Sequence, residues 1–187
     1  MPTLLTGGQQ GDGNGDGIPD SRQTAVVSAS LSTAANPPAP SFITLVADSA
    51  HGLIDGADGN QAVISGFTAS GSPAGLPSGL QLGGLLQFSA NVGANGTKET
   101  FSVFVDQSTH ANGYWLQDAA GHWTNVASGV EAVGGKIRID FSITDGGQFD
   151  LDGLANGVIV SSGGAASTPL GLIGLPPDLP GGSGFWF

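Results

Sequence analysis

At 187 residues, with charged side chains at 10% of the chain, 33 glycines and no cysteine, this sequence has the size of one domain and an uncommon surface chemistry. The lack of cysteine excludes disulfides, thiolate metal centres, iron–sulfur clusters and cysteine nucleophiles, and a formal net charge of −11, from 15 acidic against 4 basic residues, argues against nucleic acid as a partner because phosphate backbones are repelled. A domain of this length buries roughly 70% of its unfolded surface, so a hydrophobic core is available, and Ser, Thr, Asn and Gly must keep the outside wet where about 25% charged residues is usual.

Residues 1–10 lack the basic flank and apolar run of a signal peptide, and no stretch reaches the ~20 apolar residues of a membrane span. Sorting signals are therefore expected elsewhere in a longer parent protein. Residues 7–17 are Gly, Asp, Asn and Gln with almost nothing to contribute to a core, and they predict a loop. After it, Ala25, Val27, Ala29 and Leu31 alternate with Thr24, Ser28 and Ser30, the period of a half-buried strand. The segment 36–40 ends that strand, and 42–46 is a nearly continuous apolar run that predicts another.

Leu86, Phe88, Ala90 and Val92 alternate with Gln87, Ser89 and Asn91, and Phe101, Val103 and Val105 share a face further on. Tyr114, Trp115, Leu116 and Gln117, then residues 122–126, form a predicted hairpin across Asp118 and Gly121. The cleanest alternation is 136–144, with Ile137, Ile139, Phe141 and Ile143 facing in and Lys136, Arg138, Asp140 and Ser142 facing a wet side. Glycine-marked turns separate these runs, and no helical period of useful length occurs. The expected fold is all-β, an antiparallel β-sandwich of Ig-like or jelly-roll-like type with an N-terminal calcium-binding loop. Its expected organisation is an N-terminal extension carrying the loop over residues 1–22, a sandwich over 23–165, and a Gly/Pro-rich linker or tail over 166–187, with linker-like composition already beginning at Ser161.

The loop chemistry follows from spacing. Asp12, Asn14, Asp16, Ile18 and Asp20 occupy alternate positions separated by Gly13, Gly15, Gly17 and Pro19, so a tightly curled backbone can turn oxygens toward one point. Calcium takes about six to eight oxygens, and an EF-hand supplies them from loop positions 1, 3, 5, 7 (a backbone carbonyl) and 9, with a bidentate glutamate at 12. Here the first five positions match, with Ile18 giving its carbonyl, and position 12 is Gln23, so the local set is incomplete. A second acidic group, Asp145, Asp150 and Asp152, follows the clearest strand and is expected to bind calcium itself or to complete the first loop. Asp55 and Asp58 form a weaker candidate that turn chemistry alone explains.

Two of these segments resemble a known family. The run Gly11-Asp-Gly-Asn-Gly-Asp-Gly-Ile-Pro-Asp-Ser21 resembles the thrombospondin type 3 calcium repeats of bacterial surface proteins, and Thr144-Asp-Gly-Gly-Gln-Phe-Asp-Leu-Asp-Gly-Leu-Ala-Asn-Gly-Val-Ile-Val160 is similar to the closing signature of choice-of-anchor U domains. The aromatic hairpin sits where that family has one. The resemblance, over about residues 10–165, implies a calcium-stabilised, non-catalytic module of an exported bacterial protein, extracellular or on the cell surface, with neighbouring domains of a larger adhesin-type protein as partners. After Ser167 the chain shows no Leu-Pro-x-Thr-Gly sequence, closing basic cluster or spanning helix, so the anchor that the family carries is not apparent.

An enzyme would need convergent groups, and the three histidines, His51, His110 and His122, lie in no nucleophile motif. His110 and His122 flank the hairpin and could meet, but a zinc site there would need further ligands. The alternative function is calcium-dependent carbohydrate or peptide binding on a platform of Tyr114, Trp115 and Trp123; against it stands a hairpin folded onto the sandwich with one ring in the core. The apolar end Phe185-Trp186-Phe187 is expected to find a partner of its own.

Overall fold

The computed structural model describes residues 11–31, 41–47 and 62–169. Among them the chain forms strands β1 (Val26–Leu31), β2 (Ser41–Ala47), β3 (Val63–Ser70), β4 (Gln81–Leu82), β5 (Leu85–Asn91), β6 (Lys98–Asp106), β7 (Gly113–Gln117), β8 (Trp123–Asn125), β9 (Ala127–Val133), β10 (Lys136–Thr144) and β11 (Val158–Ser167), with short 3-10 turns at Asp20–Arg22 and Gln107–Thr109. One sheet runs β1-β2-β6-β10-β9 and the other β3-β5-β11-β7-β8, with β4 paired to the far end of β11. Every pairing is antiparallel. The expected antiparallel β-sandwich is what the chain forms.

The two sheets meet where the period-2 alternation points. Leu86, Phe88 and Ala90 from β5 face Phe101, Val103 and Val105 from β6 and Ile139, Phe141 and Ile143 from β10, all of them buried. Phe88 lies 5.1 Å from Phe101, Phe101 stacks on its cross-strand partner Phe141 at 5.4 Å, and Tyr114 stacks on Phe141 at 4.0 Å. This chain of rings passes from the second sheet to the first and back, and each buried side chain of that size contributes about 1.5–3 kcal/mol.

Two expectations change. The outward side of β10 is not fully wet, since Lys136 is 3% exposed and Arg138 9%. Both are held by carboxylates: Lys136 Nζ meets Asp106 Oδ1 at 2.7 Å, and Arg138 Nη2 meets Glu131 Oε2 at 3.0 Å and Asp140 Oδ2 at 3.2 Å. Beside them on the same face, Val26, Val46 and Phe104 form a small apolar cluster, so that side is partly a second packing layer.

The second change concerns the segment from Ser161. It is no linker: β11 runs to Ser167, pairs β5 and β7 on its two sides, and has Ala165 and Ala166 buried. The sandwich therefore extends past residue 165, and Thr168 still exchanges hydrogen bonds with Asn112. Its small residues are a packing requirement. A Cβ on Gly163 would lie 2.4 Å from the Trp115 carbonyl oxygen, and one on Gly164 would lie 2.2 Å from that of Gly84. β3 and β9, which the sequence pattern does not mark, carry no strong alternation and are edge strands with mostly exposed side chains. The segments 36–40, 55–60 and 185–187, with His51, lie outside the described residues.

If β11 is seated this tightly, Gly164→Ala must displace backbone. Overpacking of this kind costs about 1–3 kcal/mol, and the urea unfolding midpoint of the variant is expected to fall accordingly. An unchanged midpoint would contradict the close approach of β11 to residues 83–84.

Candidate metal centre

Residues 11–23 curl into a loop because Asp12 gathers the backbone around itself. Its Oδ1 accepts the N–H groups of Gly15 at 2.7 Å and Asp16 at 3.0 Å, and its Oδ2 accepts that of Gly17 at 2.7 Å. The curl needs left-handed backbone at Gly15 (φ +79°) and Gly17 (φ +89°), which glycine adopts without steric cost. Asp16 continues the turn, accepting Ile18 N–H on Oδ1 at 2.7 Å and the side-chain amides of Asn14, at 3.0 Å, and Gln23 on Oδ2. The Asp20 N–H closes the loop on Gly11 O at 2.9 Å.

Asp20 fastens the loop to the first sheet. Its Oδ1 accepts Gly13 N–H at 2.8 Å, its Oδ2 accepts the Ser28 hydroxyl, and Ser28 Oγ lies 2.7 Å from Thr44 Oγ1 on β2. Ser28 and Thr44 are cross-strand partners facing away from the core, so the loop lies on the outer face of β1 and β2. A Cβ on Gly13 would sit 2.1 Å from Thr44 Oγ1, so this contact requires glycine.

The arrangement is electrostatically expensive. Asp12 and Asn14 are buried, at 7% and 4% exposure, and Asn14 Oδ1 has no hydrogen-bond partner. Burial pushes the Asp20 carboxyl above its ordinary value; the Ser28 and Gly13 hydrogen bonds pull it down without cancelling the rise, and the charges of Asp12 and Asp16 add to it. Among the described residues, no three His, Asp or Glu side chains stand together as a ready-made ligand set. What the loop offers is a set of carboxylate and amide side chains with one buried, unpartnered amide oxygen, that of Asn14, a chemistry that suits a hard cation better than a transition metal.

The second acidic group lies in another part of the sandwich. Thr44 is level with Phe104 and, through it, Arg138, whereas Asp145 follows Thr144, which is level with Lys98. Six residues of β6 separate those levels, a distance of about 20 Å at ~3.3 Å per residue. The described contacts do not bring Asp145, Asp150 and Asp152 to the point where the loop meets β1 and β2.

Those aspartates bind backbone. Asp145 accepts N–H groups from Gly96 at 2.7 Å, Gly157 at 2.8 Å and Asn156 at 3.3 Å; Asp150 accepts Gly146 at 2.8 Å and Val160 at 2.9 Å. The exposed Asp152 accepts Leu154 N–H at 2.8 Å and the Asn156 side-chain amide at 3.1 Å. Burial raises the Asp145 pKa, and its N–H donors outweigh that and hold it below the ordinary range. The group ties the turn between β5 and β6 to the connection between β10 and β11.

The aromatic hairpin forms as expected, but its three rings do not make a platform. Successive residues of a strand face opposite ways, so Tyr114 enters the core, fully buried and stacked on Phe141, while Trp115 points outward. Tyr114 therefore cannot touch an external ligand. Trp115 and Trp123 are half-buried against the cluster of Leu80, Leu82 and Ala166 on the outer face of the second sheet. His110, which precedes β7, and His122, beyond its other end, stand at opposite ends of that strand and do not meet.

Because the folded carboxyl of Asp20 is raised above 3.8, its favourable contribution is complete below that value and is lost as pH rises through the raised one. At pH 7 its charge is a cost. In protein stripped of divalent cations, Asp20→Asn is expected to raise the melting temperature at pH 7, with the gain vanishing in acid. Asp145 has the opposite sign: its stabilisation is present above the ordinary carboxylate range and is lost as pH falls through its lowered value. Asp145→Asn should therefore lower the melting temperature at pH 7 and narrow that difference in acid, and parallel pH–melt curves for parent and variants would contradict both assignments. No protein-family model, curated protein or solved structure matches the chain.

Proposed function

We propose that residues 12–20 hold a calcium ion and that the protein is a non-catalytic, calcium-stabilised β-sandwich module of an exported bacterial surface or secreted protein. The observation that carries this reading is the buried Asn14 Oδ1, unpartnered in a loop that also carries Asp12, Asp16 and Asp20. A calcium ion supplies the positive charge that such a set of oxygens calls for. The residues that would hold it are Asp12, Asn14, Asp16 and the Ile18 carbonyl.

Asp20 occupies loop position 9, which often acts through water, and its Oδ2 reaches out of the loop to Ser28 on β1. Its work is to fix the loop on β1 and β2. Neutralising Asp12 and Asp16 relieves the repulsion on Asp20 and so strengthens its hold on Ser28. Folding is thereby coupled to calcium, and the module is most stable where calcium is millimolar, outside the cell. A non-catalytic role is supported by how the other buried aspartates are used, since Asp145 and Asp150 hold backbone N–H groups. The expected partners are neighbouring domains of a larger surface protein.

Extracellular calcium modules bind at about 10⁻⁴ to 10⁻³ M, and one site of ~0.1 mM Kd in ~10 mM calcium adds about 2.7 kcal/mol. For a domain of this size the melting temperature is expected to rise by about 5 to 10 °C. The test is a thermal melt of protein freed of metal, in chelator and then in calcium, with magnesium as the comparison. A melt indifferent to calcium overturns the proposal.

A further inference from the structure

We infer that Asn95-Gly96 is a shielded deamidation site, and that the Asp145 carboxylate is the shield. This is independent of the calcium reading. Asparagine loses its side-chain amide when the backbone nitrogen of the next residue, stripped of its proton, attacks the side-chain carbonyl carbon. A new N–C bond closes a succinimide ring, ammonia leaves, and water opens the ring to aspartate or isoaspartate. Glycine is the most permissive second residue, because no side chain covers its nitrogen.

Four Asn-Gly pairs occur in the chain, beginning at Asn14, Asn95, Asn112 and Asn156, and they are held differently. The Asn112 amide is bonded at both ends by Thr168, and that of Asn156 by Asp152 and the Val158 N–H. Asn14 donates to Asp16, and Asp12 holds the Gly15 N–H. Asn95 is exposed in the turn between β5 and β6, and its amide makes no hydrogen bond among the described residues. Gly96 there has left-handed backbone, φ +75°, so the turn itself favours the vulnerable pair.

What guards Asn95 is held on the neighbouring nitrogen. Asp145, 2% exposed, accepts the Gly96 N–H at 2.7 Å and the Gly157 N–H at 2.8 Å on the same Oδ2. A Cβ on Gly157 would lie 3.4 Å from Asn95 Oδ1, so two Asn-Gly pairs converge on this one carboxylate. The proton that must leave is the one the carboxylate holds, and a negative charge beside the nitrogen opposes its becoming an anion. Its N–H donors keep Asp145 below the ordinary range, so it is charged wherever base-promoted deamidation runs. The turn has other ties: Ala94 O accepts the Thr97 N–H at 3.3 Å and the Thr97 hydroxyl at 2.7 Å, and the Asp145 main-chain N–H bonds Thr97 O at 3.0 Å. Removing the carboxylate therefore uncovers the Gly96 nitrogen with those contacts in place.

The test incubates the full chain in mildly alkaline buffer, well below every melting temperature, and follows residue 95 by peptide mapping and mass spectrometry. The chains are wild type, Asp145→Ala and Asp150→Asn, with wild type unfolded in urea as the unshielded reference. Asp150 ties the same connection through Gly146 and Val160 but holds neither critical nitrogen. Folded wild type is expected to deamidate at Asn95 at least about tenfold more slowly than the unfolded chain, as loss of one charge-assisted hydrogen bond implies. Asp145→Ala approaches the unfolded rate, and Asp150→Asn keeps that of wild type. Folded wild type as fast as the unfolded chain, or Asp145→Ala as slow as wild type, overturns the inference. So does Asp150→Asn as fast as Asp145→Ala, since loosening of the connection would then be the cause. Should Asp145→Ala fail to fold, hydrogen exchange of the Gly96 amide in wild type decides, because it removes the same proton: protection supports the shield, and exchange at the unfolded rate overturns it.

Discussion

Fifteen carboxylates share four cations in this chain, and much of the fold is organised by where the surplus negative charge goes. Lys136 takes Asp106, and Arg138 takes Glu131 and Asp140. The remaining described aspartates turn to backbone. Asp12, Asp118, Asp145 and Asp150 each accept two or more main-chain N–H groups, whose partial positive charge stabilises a carboxylate without a counter-ion. Presenting several N–H groups to one point takes a tight turn, and tight turns take left-handed backbone, which Gly15, Gly17, Gly146 and Gly157 supply. The excess of acid and the excess of glycine are one device. At Asp20 the device falls short, because burial and two neighbouring carboxylates outweigh the donors it has found.

The strands that line the core were legible because their side chains obey a strict alternation. Residues 86–92 and 136–144 show the period-2 pattern, and their apolar positions are the ones packed into the core. What composition concealed was β11. Ser161-Ser-Gly-Gly-Ala-Ala has the chemistry of a linker, yet those residues are small because the carbonyls of Trp115 and Gly84 pass within a Cβ radius of the strand. Close approach between strands distant in sequence leaves no local periodicity to detect. The edge strands β3 and β9 were hidden for the converse reason: mostly exposed side chains are under no alternating constraint.

At the candidate site, spacing identified the oxygen-bearing residues but not their division of labour. Asp12 curls the loop, Asp16 receives the amides, and Asp20 reaches away to Ser28, a distinction that depends on β1 and β2 lying beneath. Proximity in space was the illegible quantity. Two acidic groups of similar composition are set far apart by register, while Gln23, an outlier in the motif, folds back onto Asp16. The hairpin could have been read further from sequence alone, because neighbours such as Tyr114 and Trp115 cannot share one face of a strand.

β11 also orders events in time. It is the last strand described and the middle of its sheet, so β5 and β7 have no common neighbour until it is in place. The first sheet is complete once β10 has been made, but its apolar side then faces only two separate ribbons, β3 with β5 and β7 with β8, and isolated ribbons are marginal in water. A chain delivered N-terminus first therefore stays open through most of its length. Until β11 pairs with β5 and β7, the unpaired edges of both ribbons remain available to other chains.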